Sequence, residues 1–323
     1  MAGGAIMSNT HTMVDLAQQY LDSRRKLGFA LTVQGKELLL FARYCDQTGH
    51  EGPITTELAI RWARLPCEAD PHYWAKRLDT VRRFARYRAL FDPATEIPPK
   101  GILGPTKHRP TPHIYSTKEI GDLLRAAAQI GPPAILRPHT FSTLFGLLAC
   151  TGIRVSEALR LTRENVDLDN AVITIERTKF HKSRMIPIHP STVYALEKYW
   201  QKRLRVCPLA GNDTLFINDR CLPINYRKVL WVFMQIRKKL GWRRNAEGRF
   251  PTIHCLRHTF AVRCLLHWYE QGADVNRKIL SLSTYLGHVE VTDTYWYLTA
   301  VPQLLSLCSA RFAKFVNQQG EKV

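Results

Sequence analysis

The chain has 323 residues, 45% of them hydrophobic, which is long enough for two ordinary domains with cores of their own. Its 46 lysines and arginines against 27 aspartates and glutamates give a formal charge of +19, which asks for a polyanionic partner, nucleic acid first and an anionic membrane surface second. No run of about 18 apolar residues occurs, and the N-terminus lacks a charged start followed by a long apolar core, so neither a membrane span nor a secretory leader is expected and the chain reads as a cytosolic protein.

Residues 1–11 read as a disordered N-terminus. From residue 12 the apolar spacing becomes helical. Met13, Leu16, Tyr20 and Leu27 mark one stripe over 12–27, and Leu38, Phe41, Ala42 and Cys45 another over 32–45, with Gly28 where the first helix stops. Ile54-Thr55-Thr56-Glu57 opens a third helix that runs to about Arg64. A fourth, over 71–90, places Trp74, Leu78, Val81 and Ala85 three and four apart and spreads Lys76, Arg77, Arg82, Arg83, Arg86 and Arg88 over the rest of its surface. Such a helix is either a solvated basic face or a phosphate contact, and the charge of the whole chain favours DNA.

Pro93, Pro98, Pro99, Pro105, Pro110 and Pro112 then crowd together with Gly101, Gly104, Lys107, His108 and Arg109. Proline at that density prevents continuous helix and makes a stiff connector. The expected organisation is therefore a helical domain over 12–97, a Pro-rich basic linker over 98–115 and a second domain over 116–323. Ser116-Thr117-Lys118-Glu119 is a capping box, and Phe141 to Cys150 is an apolar helix. Alternation of Val166, Leu168, Val172, Ile173 and Ile175 around Asp169-Asn170 predicts a hairpin, and Met185-Ile186-Pro187-Ile188 a third short strand. Residues 190–205, 226–240, 253–270, 274–286 and 302–316 read as helices. The fold class is mainly α with a small antiparallel β-sheet. The eight cysteines are scattered without a Cys-x-x-Cys pair, which argues against a disulfide framework or zinc ribbon and for buried free thiols.

The chemistry centres on Leu286-Gly287-His288 and on Tyr297, nine residues after the histidine. A tyrosine hydroxyl titrates near pH 10 and attacks nothing at neutral pH unless its target is polarised and the developing charge is held by cations. Three further stretches offer those cations: Thr151-Gly152-Ile153-Arg154-Val155-Ser156-Glu157, then Thr178-Lys179-Phe180-His181-Lys182-Ser183-Arg184 between two strands, then His254-Cys255-Leu256-Arg257-His258. His254 and Arg257, three apart on a helix, project from nearly the same face. His254 and His258 have the spacing of a zinc peptidase helix, but Cys255 stands where that chemistry needs a glutamate. No Gly-rich phosphate loop is present, so ATP is not implied; a divalent metal is not needed where arginines take its place, and no cofactor is expected.

In this order the motifs Thr-Gly-x-Arg-x-Ser-Glu, a hairpin lysine, His-x-x-Arg, Leu-Gly-His and tyrosine at plus nine resemble the tyrosine recombinase family, the phage integrase-like enzymes that cut and rejoin DNA, and the likeness runs from about residue 115 to 315. It implies a helical core-binding domain followed by a catalytic domain. It also implies a 3′-phosphotyrosine intermediate, a Holliday junction and four protomers in a synaptic tetramer on double-stranded DNA, with accessory recombinases as further partners. By the same resemblance Arg154 and Arg257 hold the phosphate, His254 and His288 assist, Lys179 is the general acid, Glu157 orients a catalytic group and Tyr297 attacks, with Tyr295 as the alternative nucleophile. DNA contacts are expected from Lys76, Arg77, Arg82, Arg83, Arg86, Lys107 and Arg109. Leu304, Leu305, Leu307, Phe312 and Phe315 form an apolar helix that docks either on a neighbouring protomer or on its own core. Integration or transposition of a mobile element, in a bacterial cytoplasm at the nucleoid, is the expected role. The rivals are a topoisomerase of the same chemistry and an inactive DNA-binding accessory protein.

Overall fold

A computed structural model describes residues 11–106, 111–132, 135–176, 183–208 and 213–300. The chain divides into two compact units, Met1–Arg109 and Pro110–Val323.

The first unit is built from four helices, α1 (Met13–Lys26), α2 (Thr32–Gln47), α3 (Thr56–Ala63) and α4 (Pro71–Arg88). Their starts follow from local chemistry. The Thr12 hydroxyl accepts from the Asp15 N–H while the Asp15 carboxylate accepts from the Thr12 N–H, a capping box. The Asp46 carboxylate, at the end of α2, accepts from the N–H groups of Met13 and Val14, placing negative charge against the positive end of α1. Thr55 caps α3 and Asp70 caps α4, each through its side-chain oxygen. Leu21, Phe41, Trp62, Val81 and Phe84 meet in the core. The proline-rich stretch begins as part of this unit, because Leu103 is buried in the same core and the Pro105 carbonyl contacts His72 Nδ1 at 2.9 Å.

One expectation for α4 is corrected. Arg77 is buried, with its guanidinium 3.7 Å from the centre of the Trp62 ring and donating to the Trp62 carbonyl at 2.9 Å. It sits beside Leu78 on the inward face, so its stem and fork pack the core instead of presenting a free charge at the surface. Arg82 is largely covered and paired with Asp79; Arg83 also pairs with Asp79 but is exposed, as are Lys76 and Arg86.

In the second unit, α5 (Thr117–Ala128) and α6 (Arg137–Thr151) are followed by the short α7 (Val155–Ala158), three strands β1 (Val166–Asp167), β2 (Val172–Ile175) and β3 (Arg184–Pro187), and helices α8 (Pro190–Val206), α9 (Tyr226–Lys239), α10 (His254–Glu270), α11 (Val275–Leu286) and α12 (Thr292–Ala300). The Ser116 capping box opens α5 as its sequence predicts. The sheet is antiparallel in the order β1-β2-β3, with Val166 opposite Ile173 and Ile173 opposite Ile186. These side chains point to one face by the two-residue period of a strand and join Phe141, Phe145, Leu148 and Phe233 in the main core. A satellite core of Ala261, Val262, Leu265, Leu282, Leu286 and Tyr297 ties α10, α11 and α12 together. The predicted helix over 302–316, with its apolar residues, lies outside the described residues.

The cysteine expectation is also corrected: Cys207 and Cys221 form a disulfide, 14 residues apart. Their closeness is tertiary. Cys207 ends α8 while Cys221 follows a segment anchored by Phe216 and Ile217 in the core, and no sequence spacing announces such a pairing. Cys45 and Cys255 are buried free thiols.

Candidate active site

Three consecutive carbonyls at the end of α11 are each capped by a different arginine. Arg184 Nε donates to Tyr285 O at 2.8 Å, Arg257 Nη2 to Leu286 O at 2.7 Å and Arg154 Nη2 to Gly287 O at 2.9 Å. Arg257 also donates through Nη1 to Gly152 O at 2.9 Å, at the end of α6. The last carbonyls of a helix have no intrahelical partner and carry the negative end of its dipole, so they are a natural seat for cations. Both helices stop on a left-handed glycine, Gly152 at φ +62° and Gly287 at φ +68°. Each is also required sterically, since a Cβ on Gly152 would lie 2.6 Å from Phe260 Cδ1 and one on Gly287 2.6 Å from Arg184 Nη1.

Three clustered guanidinium groups repel one another, and Glu157 offsets that. Its buried carboxylate accepts from the Arg154 N–H at 2.9 Å, Arg154 Nη1 at 2.8 Å and Arg184 Nη2 at 2.8 Å. Burial opposes its charge, but the hydrogen bonds from Arg184 and Arg154 outweigh it and hold the carboxyl down to about 2. Burial, and then the charge of Arg154, bring Arg257 down to about 10, so it remains a cation at neutral pH. Each guanidinium has five N–H donors, and the bonds above use two of those of Arg154 and two of Arg257, leaving donors for an anion. Arg154 keeps 34% of its side chain open to solvent.

Arg184 has no role in the sequence-level assignment, and its inward placement was legible only in part. It shares a face of β3 with buried Ile186, and an arginine on the core side of a strand needs buried partners, here Glu157 and Tyr285 O.

Tyr297 lies in α12, 2% exposed, against 42% for Tyr295. Its hydroxyl is 3.1 Å from His258 Nδ1, and its ring stacks against His288 at 6.3 Å between centres. His288 follows Gly287 and is fixed by a 2.7 Å contact between its Nδ1 and Thr294 Oγ1. Burial raises the Tyr297 hydroxyl above its ordinary value while Arg257 and Arg154 pull it back. Burial lowers His258 to about 3 and His288 to about 4, with neighbouring positive groups adding to the effect. His254 keeps part of its surface in solvent, and the protein around it together with Arg257 and Arg154 brings it to about 4. All three imidazoles are thus neutral at pH 7 in the DNA-free protein. The structure brings Arg154, Glu157, His254, Arg257, His288 and Tyr297 together. Lys179, Lys107 and Arg109 lie outside the described residues. Among the described residues no group of three histidine, cysteine, aspartate or glutamate side chains is arranged to hold a metal ion. No described helix is long and apolar enough to cross a membrane.

Comparison with known proteins gives a consistent result. The model of the phage integrase family matches residues 116–303. The chain is 40% identical over 309 residues to the "Putative integrase/recombinase y4rB" of Sinorhizobium fredii, covering 94% of this chain and 98% of that one. It is 28% identical over 241 residues to the tyrosine recombinase XerD of Brucella abortus, covering 73% and 74%. Among solved structures it is similar to the Tn1549 transposon integrase in complex with transposon right end DNA, with a TM-score of 0.65, 17% identity and coverage of 94% and 100%.

Proposed function

The chain belongs to the phage integrase family of tyrosine recombinases, DNA breaking-rejoining enzymes, and from that premise we propose that it is a site-specific recombinase of a mobile element with Tyr297 as its nucleophile. The observation that carries this reading is the convergence of Arg154, Arg257, His254, His258 and His288 around one buried tyrosine hydroxyl.

The Tyr297 oxygen attacks the scissile phosphorus, the bond from phosphorus to the 5′-oxygen breaks, and the products are a 3′-phosphotyrosine and a free 5′-hydroxyl. The negative charge that builds on the non-bridging oxygens meets the remaining donors of Arg154 and Arg257, already oriented by helix ends and by Glu157. Because these donors are fixed before DNA arrives, little reorganisation is needed in the transition state. His254 and His288 line the same pocket and contact the phosphate, and Lys179 protonates the departing 5′-oxygen. A 5′-hydroxyl from a partner duplex then attacks the phosphotyrosine, and two such rounds in a tetramer pass through a Holliday junction. Lys76, Arg83 and Arg86, exposed along α4, with Lys107 and Arg109 from the linker, neutralise backbone phosphates. Similarity to a putative integrase/recombinase and to a transposon integrase supports the mobile-element role.

The test is a plasmid carrying two copies of the DNA ends that flank the protein's own gene. The expected result is a recombined product with a Holliday junction trapped on the way, both absent with Tyr297→Phe. Relaxation of a supercoiled plasmid lacking those ends, without any exchanged product, would instead assign a topoisomerase.

A further inference from the structure

We infer that His258 is a further catalytic residue, taking the hydroxyl proton of Tyr297 as the tyrosine attacks and returning it when the strand is rejoined. The inference rests on the reading of Tyr297 as nucleophile. An attacking phenol must lose its proton, and something in contact with it must take that proton. The Tyr297 hydroxyl is 3.1 Å from His258 Nδ1, within hydrogen-bond reach in the DNA-free protein. The other groups beside the tyrosine are unsuited. Arg257 and Arg154 are cations without a lone pair, His288 has its Nδ1 engaged by Thr294 Oγ1, and His254 packs edge-on against His258 at 4.6 Å between ring centres and makes no hydrogen bond to the Tyr297 hydroxyl.

The surroundings of His258 keep it ready for that role. From α10 it faces His254, edge-on at 4.6 Å between ring centres, and Arg257; His288 approaches from beyond the end of α11, and Trp296 and Tyr297 from α12. Burial, the adjoining imidazoles and Arg257 disfavour the imidazolium, so the ring is neutral at physiological pH, and in its Nε2–H tautomer Nδ1 offers the hydroxyl a lone pair. A weak base suffices, because the phenolic oxygen becomes strongly acidic as its bond to phosphorus forms. The phosphate anion in the pocket also opposes Arg257, which depresses the histidine. The balance is simple. The O–H bond breaks, its proton passes to Nδ1, the bond from oxygen to phosphorus forms, and the 5′-oxygen leaves with a proton from the general acid. In rejoining, the imidazolium returns its proton to the departing tyrosine oxygen.

The experiment measures single-turnover adduct formation on nicked duplexes carrying the element's ends, with full-length wild type, His258→Asn and Tyr297→Phe, between pH 7 and 9.5. Asparagine keeps an acceptor oxygen close to the Nδ1 position but does not take up a proton. His258→Asn is expected to cleave about 10²-fold more slowly at pH 7 with unchanged DNA binding, the deficit shrinking as hydroxide takes over deprotonation. His258→Gln, should the asparagine variant fail to fold, is judged by the same pH recovery. Cleavage by His258→Asn at the wild-type rate, or a deficit that stays constant with pH, overturns the inference while leaving Tyr297 as nucleophile. An adduct that persists in Tyr297→Phe overturns the nucleophile itself and this inference with it.

Discussion

Arg184 occupies the space that a side chain on Gly287 would need, with its Nη1 2.6 Å from where a Cβ would stand. The contact joins β3 to the end of α11 and so to the carbonyls that hold Arg154 and Arg257. Gly287→Ala must displace the guanidinium as well as adopt φ +68°. Gly241 has nearly the same φ, +65°, and open space around it. Gly241→Ala is therefore expected to cost only the backbone term, about 1–2 kcal/mol, with cleavage intact. Gly287→Ala should cost more and abolish cleavage. Thermal midpoints and adduct yields of the two variants check this, and equal effects would contradict it.

Arg184 and Glu157 form a pair with 8% and 2% of their side chains exposed. Arg184→Met leaves the carboxylate buried with Arg154 as its one remaining charged hydrogen-bond partner named above. A loss of about 3–5 kcal/mol is expected, and Arg184→Lys should recover little because an ammonium lacks the fork that reaches both Glu157 and Tyr285 O. Chemical denaturation of the three proteins measures it, and a full recovery by lysine would refute the geometric account.

Stability should fall twice with pH. The carboxyl of Glu157 drops from 4.5 to about 2 on folding, so its contribution, about 3 kcal/mol, is complete above 4.5 and lost as pH falls through about 2. His258 and His288 drop from 6.5 to about 3 and about 4. Above pH 6.5 neither state is protonated and nothing is lost. Below it the unfolded chain binds protons that the folded chain refuses, so stability declines from pH 6.5 towards 4. His254 adds less because solvent screens it. Thermal midpoints between pH 7 and 4 should decline, with a shallower slope in His258→Asn; a flat wild-type profile would contradict the burial argument.

Arg77 and Arg83, both on α4, should separate stability from DNA binding. Arg77→Met removes the side-chain donor to the Trp62 carbonyl, which keeps the backbone N–H of Leu65, and removes a stacked cation, an expected loss of about 1–3 kcal/mol with an unchanged salt dependence of binding. Arg83→Ala should leave the thermal midpoint nearly unchanged and lower the salt slope of DNA affinity by about one. Gel-shift titrations over a salt series distinguish the two, and the opposite pattern would return Arg77 to the DNA surface.

Much of this molecule was legible before its coordinates. The capping box at Ser116, the stripe of Leu38, Phe41, Ala42 and Cys45 and the hairpin around Asp169-Asn170 are local, and local chemistry settles them. What escaped depends on contacts distant in sequence. Arg77 reads as one more surface charge until Trp62 is seen beneath it. Arg184 looks like part of a basic turn until Glu157, 27 residues earlier, and Tyr285, 101 residues later, are brought to it. His258 suggested only a metal spacing, and its partner Tyr297 is 39 residues away. The disulfide between Cys207 and Cys221 depends likewise on where the core holds each end.

The central claim is that Tyr297 forms a covalent bond to DNA. The most direct measurement is trapping on a nicked suicide substrate made from the DNA ends flanking the gene, read on a denaturing gel for wild type, Tyr297→Phe and Tyr295→Phe. The account predicts a protein-DNA adduct from wild type and from Tyr295→Phe and none from Tyr297→Phe. An adduct retained in Tyr297→Phe, or none from wild type despite salt-sensitive binding to that DNA, would contradict it.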